Sequence, residues 1–138
     1  MTIKSENLPK DFSGYKIAHI SDLHNAEFGN DNIRLLSLIK DSSPDIIVIT
    51  GDIVDSRHTD VQIARNFINN ASDIAPVYYV TGNHEARVSE ENRIDNVELN
   101  ENITVLHNED IFHEKADSKM QLIGIDDPDY MSVLYSED

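Results

Sequence analysis

Three short apolar runs, within residues 16–21, 45–50 and 77–81, alternate with stretches whose apolar residues recur at helical spacing. Short runs of β-branched and apolar residues are typical of strands that are covered on both faces, as in parallel sheets. Consecutive parallel strands need a crossover connection, and the intervening stretches are long enough to be helices. The pattern therefore predicts an α/β fold that begins βαβαβ, with a mainly parallel sheet and right-handed crossovers.

Capping residues set the predicted starts of the two crossover helices. Asn30 or Asp31 is expected to cap the first helix, and Thr59 or Asp60 the second. A proline follows each helix and disfavours helical backbone at the residue before it. The expected apolar face of the first helix consists of Ile33, Leu35, Leu36, Leu38 and Ile39.

The pattern is weaker after residue 81. Residues 89–100 are polar and asparagine-rich, and they predict a weaker helix. Three further short strands are predicted at 103–106, 111–113 and 120–125, followed by a turn at 126–129.

Length and charge exclude several classes of function. The 138 residues suffice for one domain with a real core, and no apolar run approaches the length of a membrane span. With 26 acidic and 11 basic residues, the net charge of −15 provides no surface for gripping a nucleic-acid backbone. The chain has no cysteine, which excludes disulfides, thiolate metal sites and cysteine nucleophiles.

A cluster of potential metal ligands follows each of the first three predicted strands. Since the carboxyl ends of parallel strands lie at one edge of a sheet, these clusters are expected to meet in one crevice. Oxygen ligands combined with imidazoles suit divalent metals and phosphate chemistry. The clusters are Asp22-Leu23-His24, Gly51-Asp52-Ile53-Val54-Asp55 and Gly82-Asn83-His84-Glu85.

Each cluster alone has a plainer interpretation. Asp22 could be a surface residue that caps the next segment, and Asp52 or Asp55 could cap a helix. The Gly-Asn-His-Glu stretch could be an ordinary loop, in which Glu85 either orients His84 or caps the following segment. The recurrence of such clusters at three successive strand ends favours the functional interpretation.

Together the three clusters resemble the calcineurin-like metallophosphoesterase superfamily, in particular its bacterial phosphoesterase branch. That pattern runs Asp-x-His, Gly-Asp-x-x-Asp and Gly-Asn-His-(Asp or Glu), then a lone His and Gly-His-x-His. The resemblance begins near Leu8 and includes Gly124-Ile125-Asp126-Asp127-Pro128. It implies a hydrolase that acts on phosphate mono- or diesters with two divalent metal ions, such as manganese, iron or zinc.

The resemblance also implies a role for each site residue. Asp22 and His24 would bind the first metal, Asp52 would bridge both metals, and Asn83 would bind the second. A metal-activated hydroxide would then attack the phosphate ester in line.

Two further residues would act in catalysis. By resemblance, His84 would protonate the leaving oxygen or orient the phosphate, and Asp55 would hold His84 in its working tautomer. Arg57 is a candidate contact to the substrate phosphate, although Ser56 stands where relatives carry an arginine. His19, in the first strand, is expected to be a satisfied sheet residue and not a ligand.

The lone His and the Gly-His-x-His block have no counterpart in the chain. Residues 1–138 are therefore expected to form one incomplete metallophosphoesterase domain, the N-terminal half of an α/β/β/α sandwich, inactive alone. A half-sandwich leaves apolar sheet surface uncovered, so we expect self-association or marginal stability.

Two other functions are compatible with parts of the pattern. The chain could be a non-catalytic metal-binding or assembly module whose half-site holds a single ion or none. A nucleotide-binding α/β domain is weakly supported, because no glycine-rich phosphate loop follows any predicted strand. The substrate, the native metals, the oligomeric state and the localisation, cytoplasmic or membrane-tethered, stay open.

Overall fold

A computed structural model describes residues 1–94 and 97–134 of the chain. Its larger sheet contains four parallel strands that lie side by side in sequence order. They are β1 (Ile17–Ile20), β2 (Ile46–Thr50), β3 (Val77–Val80) and β4 (Ile103–Val105). The register pairs Ala18 with Ile47 and Ile47 with Val77, so the carboxyl ends of the strands lie at one edge. The predicted α/β fold with a mainly parallel sheet is confirmed.

Two crossover helices, α1 (Ile33–Ser42) and α2 (Val61–Ser72), cover one face of this sheet. Phe67 and Ile68 of α2 are buried in the same cluster as Ile47 and Tyr79 of the sheet. The predicted capping of α2 is confirmed, because the Asp60 carboxylate accepts a hydrogen bond from Gln62 N at 3.0 Å.

The first helix begins differently from the prediction. Residues 30–32 form a 3-10 turn, and Asn32 precedes α1 with left-handed backbone and no side-chain capping bond. The physical reason is that Asn32 Oδ1 accepts from Phe28 N at 2.9 Å, so this amide braces the preceding loop. The predicted apolar face is also too wide, since Ile33 and Leu38 are 62% and 68% exposed.

The predicted helix over 89–100 is replaced, in the part that the structure describes, by a 3-10 turn at Glu90–Asn92. Arg93 then takes extended backbone, and the following Ile94 is buried in the core. Residues 95 and 96 of this prediction lie outside the described residues.

A two-stranded antiparallel sheet lies against the other face of the parallel sheet. Its strands, β5 (Glu109–Lys115) and β6 (Ser118–Gly124), are longer than predicted. His113 lies between Tyr15 and Tyr78, with ring nitrogens 2.6 and 2.9 Å from the two hydroxyls. Gly124 is so close to β4 that an added Cβ would lie 2.3 Å from Leu106 Cβ.

Only the first half of the predicted turn at 126–129 is found, because Pro128 and Asp129 already belong to a helix, α4 (Pro128–Leu134), whose Tyr130 is fully buried. A single helical turn, α3 (Asn83–Ala86), follows β3 and contacts α4. No helix among the described residues is long and apolar enough to cross a lipid bilayer.

Candidate metal centre

The loops that follow β1 and β2 are joined by backbone hydrogen bonds. Asp22 N donates to Gly51 O at 3.2 Å, and His24 N donates to Asp52 O at 2.9 Å. A third bond runs from Asn25 N to Ile53 O in the second loop, at 2.9 Å. The two loops therefore form one backbone unit, which fixes the distance between the first two clusters.

This unit contains an unusual concentration of left-handed backbone. Asp22, His24, Asn25 and Asp52 have φ values of 56°, 48°, 58° and 54°. Each such residue other than glycine costs about 1–2 kcal/mol, although Asp and Asn tolerate the conformation best. Conformations of this kind persist only where the surroundings enforce them, and they cluster at functional sites.

Glu85 supplies much of that enforcement. Its side chain is fully buried, and its two carboxylate oxygens accept hydrogen bonds from four backbone N–H groups. The donors at 2.8 Å are Asp52, Ile53 and Gly82, and Val54 donates at 3.3 Å. Glu85 thus caps the start of its own helix, α3, and not the following segment as one interpretation predicted, and it also anchors the loop that carries Asp52.

Two glycines allow the second and third loops to approach closely. A Cβ on Gly51 would lie 2.5 Å from Gly82 N, and Gly51 has φ 81°. A Cβ on Gly82 would lie 2.3 Å from Asp52 Oδ1. Since real side chains do not approach so closely, both positions need glycine for the observed geometry.

His24, Asp52 and His84 converge at the edge of the sheet. One potential ligand atom from each lies within 4.8 Å of the other two, and the imidazole rings are 4.4 Å apart. His24 Nδ1 is buried without a hydrogen-bond partner among the described residues. An unpartnered buried imidazole nitrogen is costly, and its lone pair is what a metal ion would use. The donor set of carboxylate and imidazole therefore fits a divalent transition metal.

The other two predicted ligands lie at the rim of this cluster. Asp22 Oδ1 is 3.9 Å from His24 Nε2, and its side chain is 68% exposed. Asn83 donates from its amide nitrogen to Asp52 Oδ2 at 3.1 Å, in the orientation that satisfies both ends of the amide. The structure thus places Asp22, His24, Asp52 and Asn83 together; their roles as ligands stay a prediction.

The hydrogen bonds of His84 indicate which nitrogen carries its proton. Ser56 N donates to His84 Nδ1 at 3.1 Å, and His84 N donates to Asp52 Oδ1 at 2.9 Å. Because Nδ1 is an acceptor, the neutral ring carries its proton on Nε2. This tautomer favours proton donation by His84 over metal binding through Nε2.

Asp55 lies near His84, but its strongest bonds are elsewhere. Its Oδ1 is 3.6 Å from His84 Nδ1, beyond normal hydrogen-bond range. Arg57 donates to the Asp55 carboxylate from its backbone N at 2.9 Å, from Nε at 3.1 Å and from Nη2 at 3.2 Å. These bonds lower the pKa of Asp55 to about 2, so the carboxylate is ionised at neutral pH. The positioning that was predicted for Asp55 stays a prediction, and in the structure the Ser56 amide contacts Nδ1.

His19 is a satisfied sheet residue, as expected, because its Nε2 lies 2.8 Å from Thr50 Oγ1. A cavity of about 520 Å³ extends from Asp52 and Asn83 across the open face of β2 and β3 towards β6. Asp126, at its floor, is buried and hydrogen-bonded to Thr81 and His107. A cavity therefore adjoins the candidate metal ligands Asp52 and Asn83.

Comparison with known proteins identifies the class of protein that this fold and site define. The sequence model of the calcineurin-like phosphoesterase family matches residues 15–133. The chain belongs to this family, and the predicted resemblance is confirmed.

Individual relatives extend well beyond the matched region. The chain is 34% identical to the uncharacterized metallophosphoesterase YkoQ of Bacillus subtilis, over 80% of this chain and 43% of that protein. It is 28% identical to the transmembrane protein with metallophosphoesterase domain of Danio rerio, over 91% of this chain and 30% of that protein. The chain therefore spans less than half the length of these relatives. No solved structure matches it significantly.

Proposed function

We propose that this site performs metal-dependent hydrolysis of phosphate mono- or diesters. The observation that carries the proposal is the convergence of two candidate metal ligands, His24 and Asp52, with His84 beside them, on backbone that Glu85 and the left-handed loops hold in place. Membership of the calcineurin-like phosphoesterase family supports the same chemistry.

We infer two cation positions that share Asp52. The first is formed by Asp22, His24 and Asp52, and the second by Asp52 and Asn83. When bound, divalent cations supply an acidic water and neutralise charge on the phosphate. Two oxygen ligands hold a transition metal poorly, so we expect weaker binding at the second position and little turnover by the 138-residue chain alone.

The protein's own proton donor in this scheme is His84. Ser56 N keeps Nδ1 unprotonated, which leaves the Nε2 proton available to the leaving oxygen of the ester. The bond from His84 N to Asp52 Oδ1 holds this histidine beside the shared carboxylate. Proton donor and metal-binding carboxylate therefore lie on adjoining loops at fixed separation.

The test is a calorimetric titration of the chain with Mn²⁺. We expect Asp52→Asn to weaken Mn²⁺ binding at least tenfold, because it removes a carboxylate charge from the centre of the ligand cluster. Asp41→Asn makes the same change at an exposed position on α1 and should leave the affinity unchanged. Equal Mn²⁺ affinity in Asp52→Asn and the wild type would contradict the proposal, as would an unaffected hydrolysis rate in an active form of the protein.

A further inference from the structure

An acidic phosphoesterase site has to attract a negatively charged substrate. The chain carries a net charge of −15, and the candidate metal ligands include Asp22 and Asp52. Bound cations would offset part of this charge, but terminal phosphate oxygens also need hydrogen-bond donors. Among the described residues, two arginines, Arg57 and Arg87, contact side chains of the three clusters.

Arg57 is committed to another partner. Its Nε and Nη2 donate to the two oxygens of the Asp55 carboxylate, its backbone N adds a third bond, and the Asp55 side chain is only 13% exposed. Moving Arg57 to a substrate would break this chelate and leave the low-pKa Asp55 carboxylate without its counterion. Arg57, a candidate phosphate contact from the sequence, is therefore poorly placed for that role.

Arg87 is held differently. Its Nη1 and Nη2 donate to the Asn83 amide oxygen at 2.9 and 3.2 Å, and Nη2 also donates to Asp129 Oδ2 at 3.1 Å. The side chain is nevertheless 55% exposed. These contacts use three of the five N–H donors of the guanidinium. Arg87 thus lies at the rim of the site, and it differs from Arg57 in that its carboxylate partner is itself exposed, since the Asp129 side chain is 58% exposed.

The contact between Arg87 and Asn83 has a further consequence. The amide oxygen of Asn83 is the atom that would bind a cation at the second position. A cation and a guanidinium compete for that oxygen, so occupancy by the cation would release donors of Arg87. Asp129 would keep the guanidinium beside the site, because its bond to Nη2 does not involve Asn83.

We propose that Arg87, oriented by Asp129, binds the phosphoryl group of the substrate. The proposal rests on the proposed function, since it assigns the anion-binding residue of the same site. A planar guanidinium matches two terminal phosphate oxygens, which makes arginine better suited than lysine to this position. Asp129 is a positioning residue in this arrangement.

A purely structural ion pair that ties α3 to α4 would show the same distance between Arg87 and Asp129. Exchanging Arg87 and Asp129 with each other distinguishes a structural ion pair from a phosphate-binding residue. Arg87→Asp combined with Asp129→Arg restores an ion pair between the helices but removes the guanidinium from position 87. A structural role survives this exchange, whereas a phosphate-binding role does not.

Equilibrium dialysis of the chain against ³²P-labelled inorganic phosphate, with and without Mn²⁺, tests the proposal. We expect Arg87→Ala to raise the phosphate dissociation constant about tenfold, as the loss of a charged hydrogen-bond donor implies. Mn²⁺ affinity should not fall in this variant. The matched control is Arg65→Ala on α2, which removes an arginine paired with Glu98 and should leave phosphate binding unchanged.

The outcomes separate this proposal from the proposed function. Equal phosphate affinity in Arg87→Ala and the wild type would overturn the role of Arg87, as would recovery of phosphate binding in the exchanged pair. Absence of phosphate binding by a wild-type chain that binds Mn²⁺ would also overturn it and leave the metal site standing. Absence of Mn²⁺ binding would count against the proposed function. In that case, dialysis without Mn²⁺ would still compare the phosphate affinity of Arg87→Ala with that of the wild type.

Discussion

The two sides of the candidate site are built in different ways. On one side, backbone hydrogen bonds and the buried Glu85 carboxylate fix Asp52 and His24. On the other side, Asn83, Arg87 and Asp129 are joined through side chains, and the last two are more than half exposed. Backbone constraints hold atoms more tightly than bonds between exposed side chains, which are worth little individually. The side that carries the candidate metal ligands His24 and Asp52 is therefore preorganised, and the other side can rearrange.

The largest expected effect comes from changing Glu85, which would break the rigid side. Glu85→Gln replaces one carboxylate oxygen with an NH₂ group, and because each oxygen accepts from two backbone N–H groups, two of these donors lose their acceptor. We expect a loss of about 3 kcal/mol in the free energy of unfolding, measured by urea denaturation, together with weaker Mn²⁺ binding. Glu101→Gln, at an exposed position, is the control. Wild-type stability in Glu85→Gln would mean that these four hydrogen bonds do not constrain the loop.

A smaller and more local effect is expected from Gly82→Ala. The added Cβ would lie 2.3 Å from Asp52 Oδ1, so the carboxylate has to move. We expect Mn²⁺ affinity, measured by calorimetry, to fall about tenfold, because cation binding depends on the placement of Asp52. Gly14→Ala serves as a comparison, since no atom lies within 4 Å of its added Cβ. It should lose stability through its φ of 74° and keep its metal affinity.

The smallest effect concerns Asp55, which follows the loop that Glu85 anchors, and it sharpens the comparison on the rigid side. Arg57→Ala removes the donors that lower the pKa of Asp55 to about 2, so the pKa should rise towards the ordinary value of about 3.9. The folded wild type binds fewer protons at Asp55 than the unfolded chain between these two pH values. The stabilisation from Asp55 is therefore full above about pH 4 and is lost as the pH falls towards 2.

Titration of the Asp55 carboxyl carbon by NMR measures this change directly. In the Arg57→Ala variant, the fall in stability between pH 4 and 2 should shrink accordingly. An Asp55 pKa that stays near 2 without Arg57 would show that another contact, such as His84, sets it.

Exposed apolar side chains add a second contrast with the rigid side. Ile17 of β1 is 50% exposed, and Ile123 of β6, in the antiparallel sheet, is 66% exposed. Self-association through this surface stays a prediction, as does the incompleteness of the domain. Both predictions concern what covers the faces of the sheet. The position of Asp52 at the edge of the sheet is a separate matter.

The elements with strong local signals were predicted well. The three β-branched runs became parallel strands, and Asp60 caps α2, because burial and capping depend on nearby residues. The start of α1 was predicted wrongly, because Asn30 and Asp31 lie in a 3-10 turn and neither caps the helix, while the Asn32 side chain bonds to Phe28 N instead. A choice between two local hydrogen bonds cannot be read from residue types alone.

The candidate site was also predicted only in part. Its residues were identifiable because ligand-type side chains follow successive strands, and parallel strands bring their carboxyl ends to one edge. The four backbone hydrogen bonds that the Glu85 carboxylate accepts were not predicted, and neither was the contact of Ser56 with His84. Both depend on side-chain orientation across separate loops. The nearest sequence signal was the position of Glu85 at the third residue of a short helix, which indicated only a cap.

By itself, the sequence determined the α/β architecture, the family and the residues that meet at the sheet edge, because these follow from periodicity and strand direction. Only the tertiary structure decided which hydrogen bonds hold them, which backbone amide contacts His84 Nδ1 and which carboxylate pairs with Arg57 and with Arg87. These properties depend on angstrom-scale distances between loops that lie far apart in the chain, and residue order does not specify such distances.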